Sequence, residues 1–186
     1  MEAINISRKY LRELQSLRLS NVSSGEGSIL RNPLNGKEVL KILHQQNGLY
    51  LSNKLYTLNS LYDIEDALDN DSFVLPNRLL TVDDKVVGFT MPLINGVTLA
   101  DILFNADIDI KIKVKYLKRI GAILDAMASF RKEYPQSNWY LNDLHERNFM
   151  VDLDSDKMYA VDLDSCRIFG NHPFLSKYLS SFSPII

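Results

Sequence analysis

The stretch from Asp143 to Asp164 constrains this chain more than any other. It opens with the polar Asp143-Leu144-His145-Glu146-Arg147-Asn148, passes into the strand-like run 148–153, breaks at Asp154-Ser155-Asp156-Lys157, and resumes over 158–163 to end in Asp162-Leu163-Asp164. Two short apolar runs about a polar break predict a β-hairpin. With the turn centred on Ser155, Asn148 sits opposite Asp162, and Asp143 lies on the loop beside them. An amide oxygen and a carboxylate at the open end of a hairpin form a sparse set of hard donors. Such a set suits Mg²⁺, which keeps several waters and takes substrate phosphates as its other ligands. A carboxylate left outside that set, as Asp143 is, can orient a hydroxyl and accept its proton. Asp and Asn are common turn residues, and Asp154 and Asp156 read as solvated turn positions. The ordered run of loop, strand, turn, strand and carboxylate is what singles out Asp143, Asn148 and Asp162.

A second hairpin is expected earlier. The runs 28–31 and 38–43 flank Asn32-Pro33-Leu34-Asn35-Gly36, a stretch rich in turn residues. A centre at Leu34 sets Lys41 across from Gly27, with Gly25-Glu26-Gly27-Ser28 as a glycine-rich loop over the same spot. Glycines let backbone N–H groups approach phosphate oxygens, and an ammonium adds a point charge. The competing reading of these residues alone is an ordinary loop and an edge-strand lysine pointing at water.

Helical spacing marks residues 5–19, 49–62 and 111–130, the last with Ile112, Tyr116, Ile120, Leu124 and Met127 on one stripe. Ser20 to Ser28 reads as a loop. Strands are expected at 73–82 and 86–94 about an Asp83-Asp84 turn, and Thr98 with Asp101 forms a capping box. A seam near Ile94-Asn95-Gly96 divides a strand-rich half, 1–94, from a helix-rich half, 95–186.

Composition narrows the function classes. A net charge of −2 gives no electrostatic reason to expect nucleic acid or an anionic membrane as partner. Lys111, Lys115 and Lys118 share a helical face that reads as solvated. A single cysteine, Cys166, excludes an intrachain disulfide and leans toward a reducing, cytoplasmic location. No run approaches the length of a membrane span.

Taken together, these residues resemble the protein kinase-like superfamily, which spans eukaryotic-type protein kinases and relatives such as the aminoglycoside and choline phosphotransferases. The resemblance covers roughly residues 20–170. Val39-Leu40-Lys41 is similar to the third-strand lysine motif, Asp143 to Asn148 to the catalytic loop Asp-x-x-x-x-Asn, and Asp162-Leu163-Asp164 stands where Asp-Phe-Gly stands. It implies an α+β, two-lobed fold with an antiparallel-sheet N-lobe (1–94) and a shortened, mainly helical C-lobe (95–186). It implies an ATP- and Mg²⁺-dependent phosphotransferase, or a pseudokinase-like module without turnover. Lys41 would contact phosphates, Asp143 would be the base, and Asn148 and Asp162 would hold Mg²⁺. Gly25, Glu26, Gly27 and Ser28 would cover the phosphates. Met91, Pro92 and Ile94 would line the adenine site, Pro92 through its carbonyl. The acceptor would be a protein rather than a small molecule, although His145 is more familiar from the small-molecule branches.

The departures are specific. Leu30 replaces the third loop glycine, Leu141-Asn142 replaces His-Arg, and Asp164 replaces the glycine of Asp-Phe-Gly, either as a second metal ligand or as a solvated turn residue. The helix 49–62 contains no glutamate to pair with Lys41, leaving Asn59, Asp63 and Glu65 as stand-ins. Only 22 residues follow Asp164.

Overall fold

A computed structural model describes residues 1–14, 16, 18–64, 68, 72–134, 138–141 and 143–169. Within them the chain is α+β. The elements are β1 (Ala3–Asn5), α1 (Arg8–Leu14), β2 (Arg18–Ser24), β3 (Gly27–Arg31), β4 (Glu38–Leu43), α2 (Gly48–Asp63), β5 (Arg78–Val82) and β6 (Lys85–Pro92). They continue with β7 (Val97–Thr98), α3 (Leu99–Leu103), α4 (Ile110–Glu133), β8 (Asn138–Tyr140), β9 (Phe149–Asp152), β10 (Lys157–Ala160) and β11 (Arg167–Phe169).

The first six strands form one sheet in the order β1-β5-β6-β4-β3-β2, antiparallel except where β1 runs parallel to β5. Its central strand β4 is buried along its whole length. Alternation along a strand sends successive side chains to opposite faces. Leu40 and Ile42 therefore join Leu14, Leu30, Leu80 and Val82 in a core under α1, whereas Leu43 packs with Phe89 and with Leu58 of α2 on the other face. Lys41 belongs to that second face. Its burial is a direct consequence of the same period of two.

The second half uses smaller sheets, β10-β9-β7 and β11-β8, around the long helix α4. Thr98 and Asp101 make the expected reciprocal capping box at α3. At Gly96 a Cβ would stand 2.1 Å from the Val151 carbonyl oxygen. Only glycine lets the link after β6 lie this closely on β9. The largest core crosses the expected seam at 94/95. It joins Leu61 of α2, Ile64 just after it, Phe73 and Leu75 to Tyr116, Ile123, Met127, Trp139, Phe149 and Val151.

Several expectations shift. The first helix is shorter than 5–19. Residues 3–5 pair with β5 instead, and 18–24, most of it expected as loop, are strand β2 against β3. Leu17 and Glu65 lie outside the described residues. The strand expected from residue 73 begins at Arg78, and Phe73 bridges Ala160. On α4 the buried stripe is Tyr116, Ile123, Met127 and Phe130, while Ile112 and Leu124 are exposed. The stripe rotates because Asp156, at the tip of the β9–β10 turn, is clasped by α4. Lys115 Nζ and Arg119 Nη2 donate to its Oδ2 at 2.5 and 2.8 Å, and the Tyr116 hydroxyl donates to its Oδ1 at 2.8 Å. Asp156 is thus an anchor for the second hairpin, not a bare turn residue. No described helix is long and apolar enough to cross a membrane.

Candidate functional site

Lys41 sits in the middle of β4, opposite Ile29 on β3 and Phe89 on β6. The expected partner was Gly27, two positions away. The turn is longer than Pro33–Gly36 suggests. The Glu38 N–H donates to the Asn35 carbonyl, and Asn32 pairs with Glu38, which moves the centre from Leu34 to Asn35. Gly27 still faces the lysine diagonally. A Cβ there would lie 3.2 Å from the Lys41 Cγ and 2.8 Å from the Ile42 carbonyl oxygen. The lysine stem therefore passes under a position that tolerates no side chain.

The Lys41 side chain is completely buried. Its ammonium donates to Asp162 Oδ1 and, at 2.8 and 2.9 Å, to both carboxylate oxygens of Asp164. The two acids arrive from 121 and 123 residues further along the chain. An ammonium has three donors, and all three are engaged. A lone ammonium in such a site would be several kcal/mol unfavourable, and two carboxylates supply what holds it charged.

A second buried lysine completes the cluster. Lys54, on α2 and 5% exposed, donates to Glu26 Oε2 at 2.5 Å and to the Asp164 carbonyl at 2.8 Å, and it lies 3.1 Å from Asp164 Oδ2. Glu26 also accepts from the Ser165 hydroxyl at 2.9 Å. Asp164 is thereby not a solvated turn residue. It is the buried hub of two lysines. Among the described residues, Lys41 takes its anionic partners from Asp162 and Asp164 and not from α2, and the stand-in Glu65 lies outside those residues. The Asn59 amide donates to the Leu55 carbonyl, and the anionic partners come from the turn after β10 instead. On α2 the sign of the charge is reversed.

The cluster sets its own protonation. Burial drives Lys41 and Lys54 toward the neutral form, but Asp164, aided by Asp162 at Lys41 and Glu26 at Lys54, outweighs it and raises both above 10.5. Burial pushes Asp164 upward too, and the two ammonium groups overcome it, holding its carboxyl below 3.8. At Asp162 burial prevails over Lys41, and its carboxyl rises above 3.8. Of the two acids, Asp162 is the partly exposed and less firmly ionised one.

Asp143 and Asn148 lie against the same corner. The Asn148 amide N–H donates to the Asp143 carbonyl at 2.9 Å, leaving the amide oxygen as its donor atom toward a cation. The hairpin register places Asn148 opposite Val161, one position from the expected Asp162, because the turn is centred between Asp154 and Ser155. Asp162 then leaves the strand in a left-handed conformation, φ +62°. Asp143, Asn148 and Asp162 line one small cavity with Leu141, Phe149 and Ser165; at about 10 Å³ it admits a single water. The Asp143 carboxylate is well exposed and stands 3.3 Å from His145 Nε2. His145 Nδ1 accepts from the Arg147 N–H at 3.1 Å, so the ring proton resides on Nε2 and points at Asp143.

The remaining site residues are arranged around this corner. Gly25 and Glu26 form the turn between β2 and β3, since Ser24 pairs with Gly27. His44 ties that turn down through its N–H to the Glu26 carbonyl at 2.9 Å, and its ring lies 3.1 Å from the Ser28 hydroxyl. Met91 and Pro92 continue β6 beyond Phe89, opposite Val39 and Glu38, and Ile94 follows half-buried. Glu38 is itself buried and accepts from Asn32, Asn77 and Arg78 between 2.9 and 3.1 Å, which ties the start of the lysine strand to the start of β5 across β6. Neither Glu38 nor Lys54 was singled out from sequence. An acidic residue leading directly into the apolar Val39-Leu40 of the lysine strand was the available signal for Glu38. Lys54 carried none. No protein-family model and no curated protein matches this sequence.

Proposed function

We propose that this chain is a protein kinase-like phosphotransferase core that uses Mg²⁺-ATP and transfers a phosphoryl group to a hydroxyl acceptor. One observation carries the reading. Lys41 from the six-stranded sheet and Asp162 from the second hairpin form an ion pair beside a cavity lined by Asp143 and Asn148. An unrelated fold has no reason to bring those four side chains to one corner. The donor set fits the metal: Asp162 and the Asn148 amide oxygen are the hard, few ligands that Mg²⁺ accepts alongside phosphates. Bound there, the ion would neutralise phosphate charge.

The chain's own residues have separate tasks. Lys41 supplies a cation in a water-poor site, where its field is strong. Asp143, oriented by His145, takes the proton of the acceptor hydroxyl as the new oxygen–phosphorus bond forms and the bond from the γ-phosphorus to the bridging oxygen breaks, with ADP leaving. The turn 25–28 covers the phosphates, and the strand leading to Met91, Pro92 and Ile94 offers backbone to the base. A two-lobed kinase-like fold, with the six-stranded sheet in its N-lobe, is part of the same proposal. The single buried cysteine suits a cytoplasmic setting, and a protein hydroxyl is the acceptor class we favour.

A radiolabel transfer assay on an acceptor panel, comparing the unaltered chain with Asp143→Ala and Asp162→Ala, tests the proposal. Transfer that is lost by at least ~100-fold in both variants supports it. Equal transfer in Asp143→Ala removes that residue as base.

A second reading, a nucleotide-sensing pseudokinase, is favoured by the reversed charge on α2 and by a Lys41 whose donors are already saturated by Asp162 and Asp164. It predicts Mg²⁺-ATP binding by calorimetry with no transfer to any acceptor.

A further inference from the structure

Lys54 holds both Asp164 and Glu26. Its surroundings identify a further role. The cluster contains two cations, Lys41 and Lys54, and three carboxylates, Glu26, Asp162 and Asp164, so it carries one negative charge in excess. All three Lys54 donors are taken, two by Asp164 and one by Glu26. The two anchors differ in kind. Asp164 is buried, 2% exposed, whereas the Glu26 side chain is 38% exposed and stands on the turn expected to cover phosphates. That turn keeps its backbone through His44, so the Glu26 carboxylate can leave by side-chain rotation alone.

From this geometry we propose that Lys54 is a phosphate-binding residue, and that the Glu26 carboxylate occupies, in the ligand-free chain, the place of a phosphate oxygen of a nucleoside triphosphate. The inference rests on the phosphotransferase reading and deepens it. Glu26 and a triphosphate cannot share Lys54, because like charges so close repel. Once Glu26 turns out, the cluster holds two cations and two carboxylates. One Lys54 donor, the one now given to Glu26 on the Gly25–Ser28 turn, is then without its anion. A charge-assisted hydrogen bond from a buried ammonium to a phosphate oxygen is among the stronger polar contacts available. Glu26 therefore acts as a competitor built into the chain, and nucleotide affinity reports the difference between the two anions.

The consequence has an unusual sign: deleting a charge at the site should strengthen binding. Glu26→Gln keeps the shape of the side chain and can still accept from Lys54 and Ser165, but without the carboxylate it competes weakly. Titration calorimetry with Mg²⁺-ATP should give about ten-fold tighter binding in Glu26→Gln than in the unaltered chain. Lys54→Met should weaken it by a similar factor, and Glu26→Gln should bring no gain in the Lys54→Met background. Inorganic tripolyphosphate without metal is the parallel probe, and it should follow the same order. Unchanged or weaker binding of both probes by a folded Glu26→Gln overturns the proposal, whatever Lys54→Met does to folding. Tripolyphosphate following this order while no variant binds Mg²⁺-ATP keeps the anion site and sinks the phosphotransferase reading. Mg²⁺-ATP bound equally by the unaltered chain and Glu26→Gln leaves that reading standing and sinks this one.

Discussion

Two charge clusters in this molecule use the same side chains to different ends. At the tip of the second hairpin, Asp156 meets Lys115 and Arg119 of α4 at the surface. At the base of the same hairpin, Asp162 and Asp164 meet Lys41 and Lys54 in the interior. Both hold the hairpin to another element. Water decides what each can do beyond that. The surface group is screened and its partners remain solvated, so it contributes a modest, local restraint. The interior group is poorly screened, so each charge there is fixed by the others and removal of any one is felt by all. A site that must respond to an incoming anion needs the second kind.

The contrast can be broken in four ways. The largest expected effect concerns Cys166, two residues beyond Asp164. Burial pushes its thiol up to about 12 from 9.0, so at pH 8 alkylation by iodoacetamide should run about a thousandfold slower in the folded chain than after unfolding in urea. Fast alkylation of the folded protein would show that the interior of this turn is open to water.

Next comes the hub. Asp164→Ala leaves two buried ammonium groups without their shared partner and should destabilise the fold by about 3–5 kcal/mol, read from urea denaturation. A loss below ~1 kcal/mol would mean that water already reaches the cluster, and the distinction drawn here would fail. Alkaline titration gives a smaller, graded effect. Lys41 and Lys54 are raised in the folded chain. Their stabilisation is complete below the unfolded value of 10.5 and disappears as pH rises through the folded values, so the lysine share of the denaturation midpoint should be lost only above pH 10.5, after the earlier decline from pH 9.0 that the buried Cys166 thiol brings. A midpoint that declines from pH 8 would contradict the raised values. Smallest is Asp156→Asn, which should lower the melting temperature slightly in dilute buffer and hardly at all in 1 M salt. The Asp164→Ala loss should persist in that salt. Equal salt sensitivity in the two variants would erase the contrast.

Much of this arrangement was legible in the sequence, and the parts that were not have identifiable causes. The juxtaposition of Lys41 with Asp162 followed from the order of hairpins and did not depend on their register. Both registers were misplaced, by two residues for the first hairpin and one for the second, because polar turn residues can belong either to the loop or to the strand ends. In a period-two element a slip of one changes the facing residue, which is why Asn148 meets Val161. Strand β2 was hidden because Ser20-Asn21-Val22-Ser23-Ser24 has no alternation, and its partner β3 supplies the order. Lys54 was invisible for a different reason. A lysine on a helix reads as solvated unless the acids that bury it are known, and here they come from 28 and 110 residues away.

The burial of α2 is uneven along its length. Its last turn, through Leu61, and the capping Ile64 are embedded in the larger core with Trp139 and Phe149, while Leu49 in its first turn is exposed and Lys54 lies in between. Leu51 and Leu55 nevertheless rest beside Leu58 against the sheet, so Lys54 is seated between apolar supports before and after it, and a change of its anionic partner is met by a helix already braced on both sides.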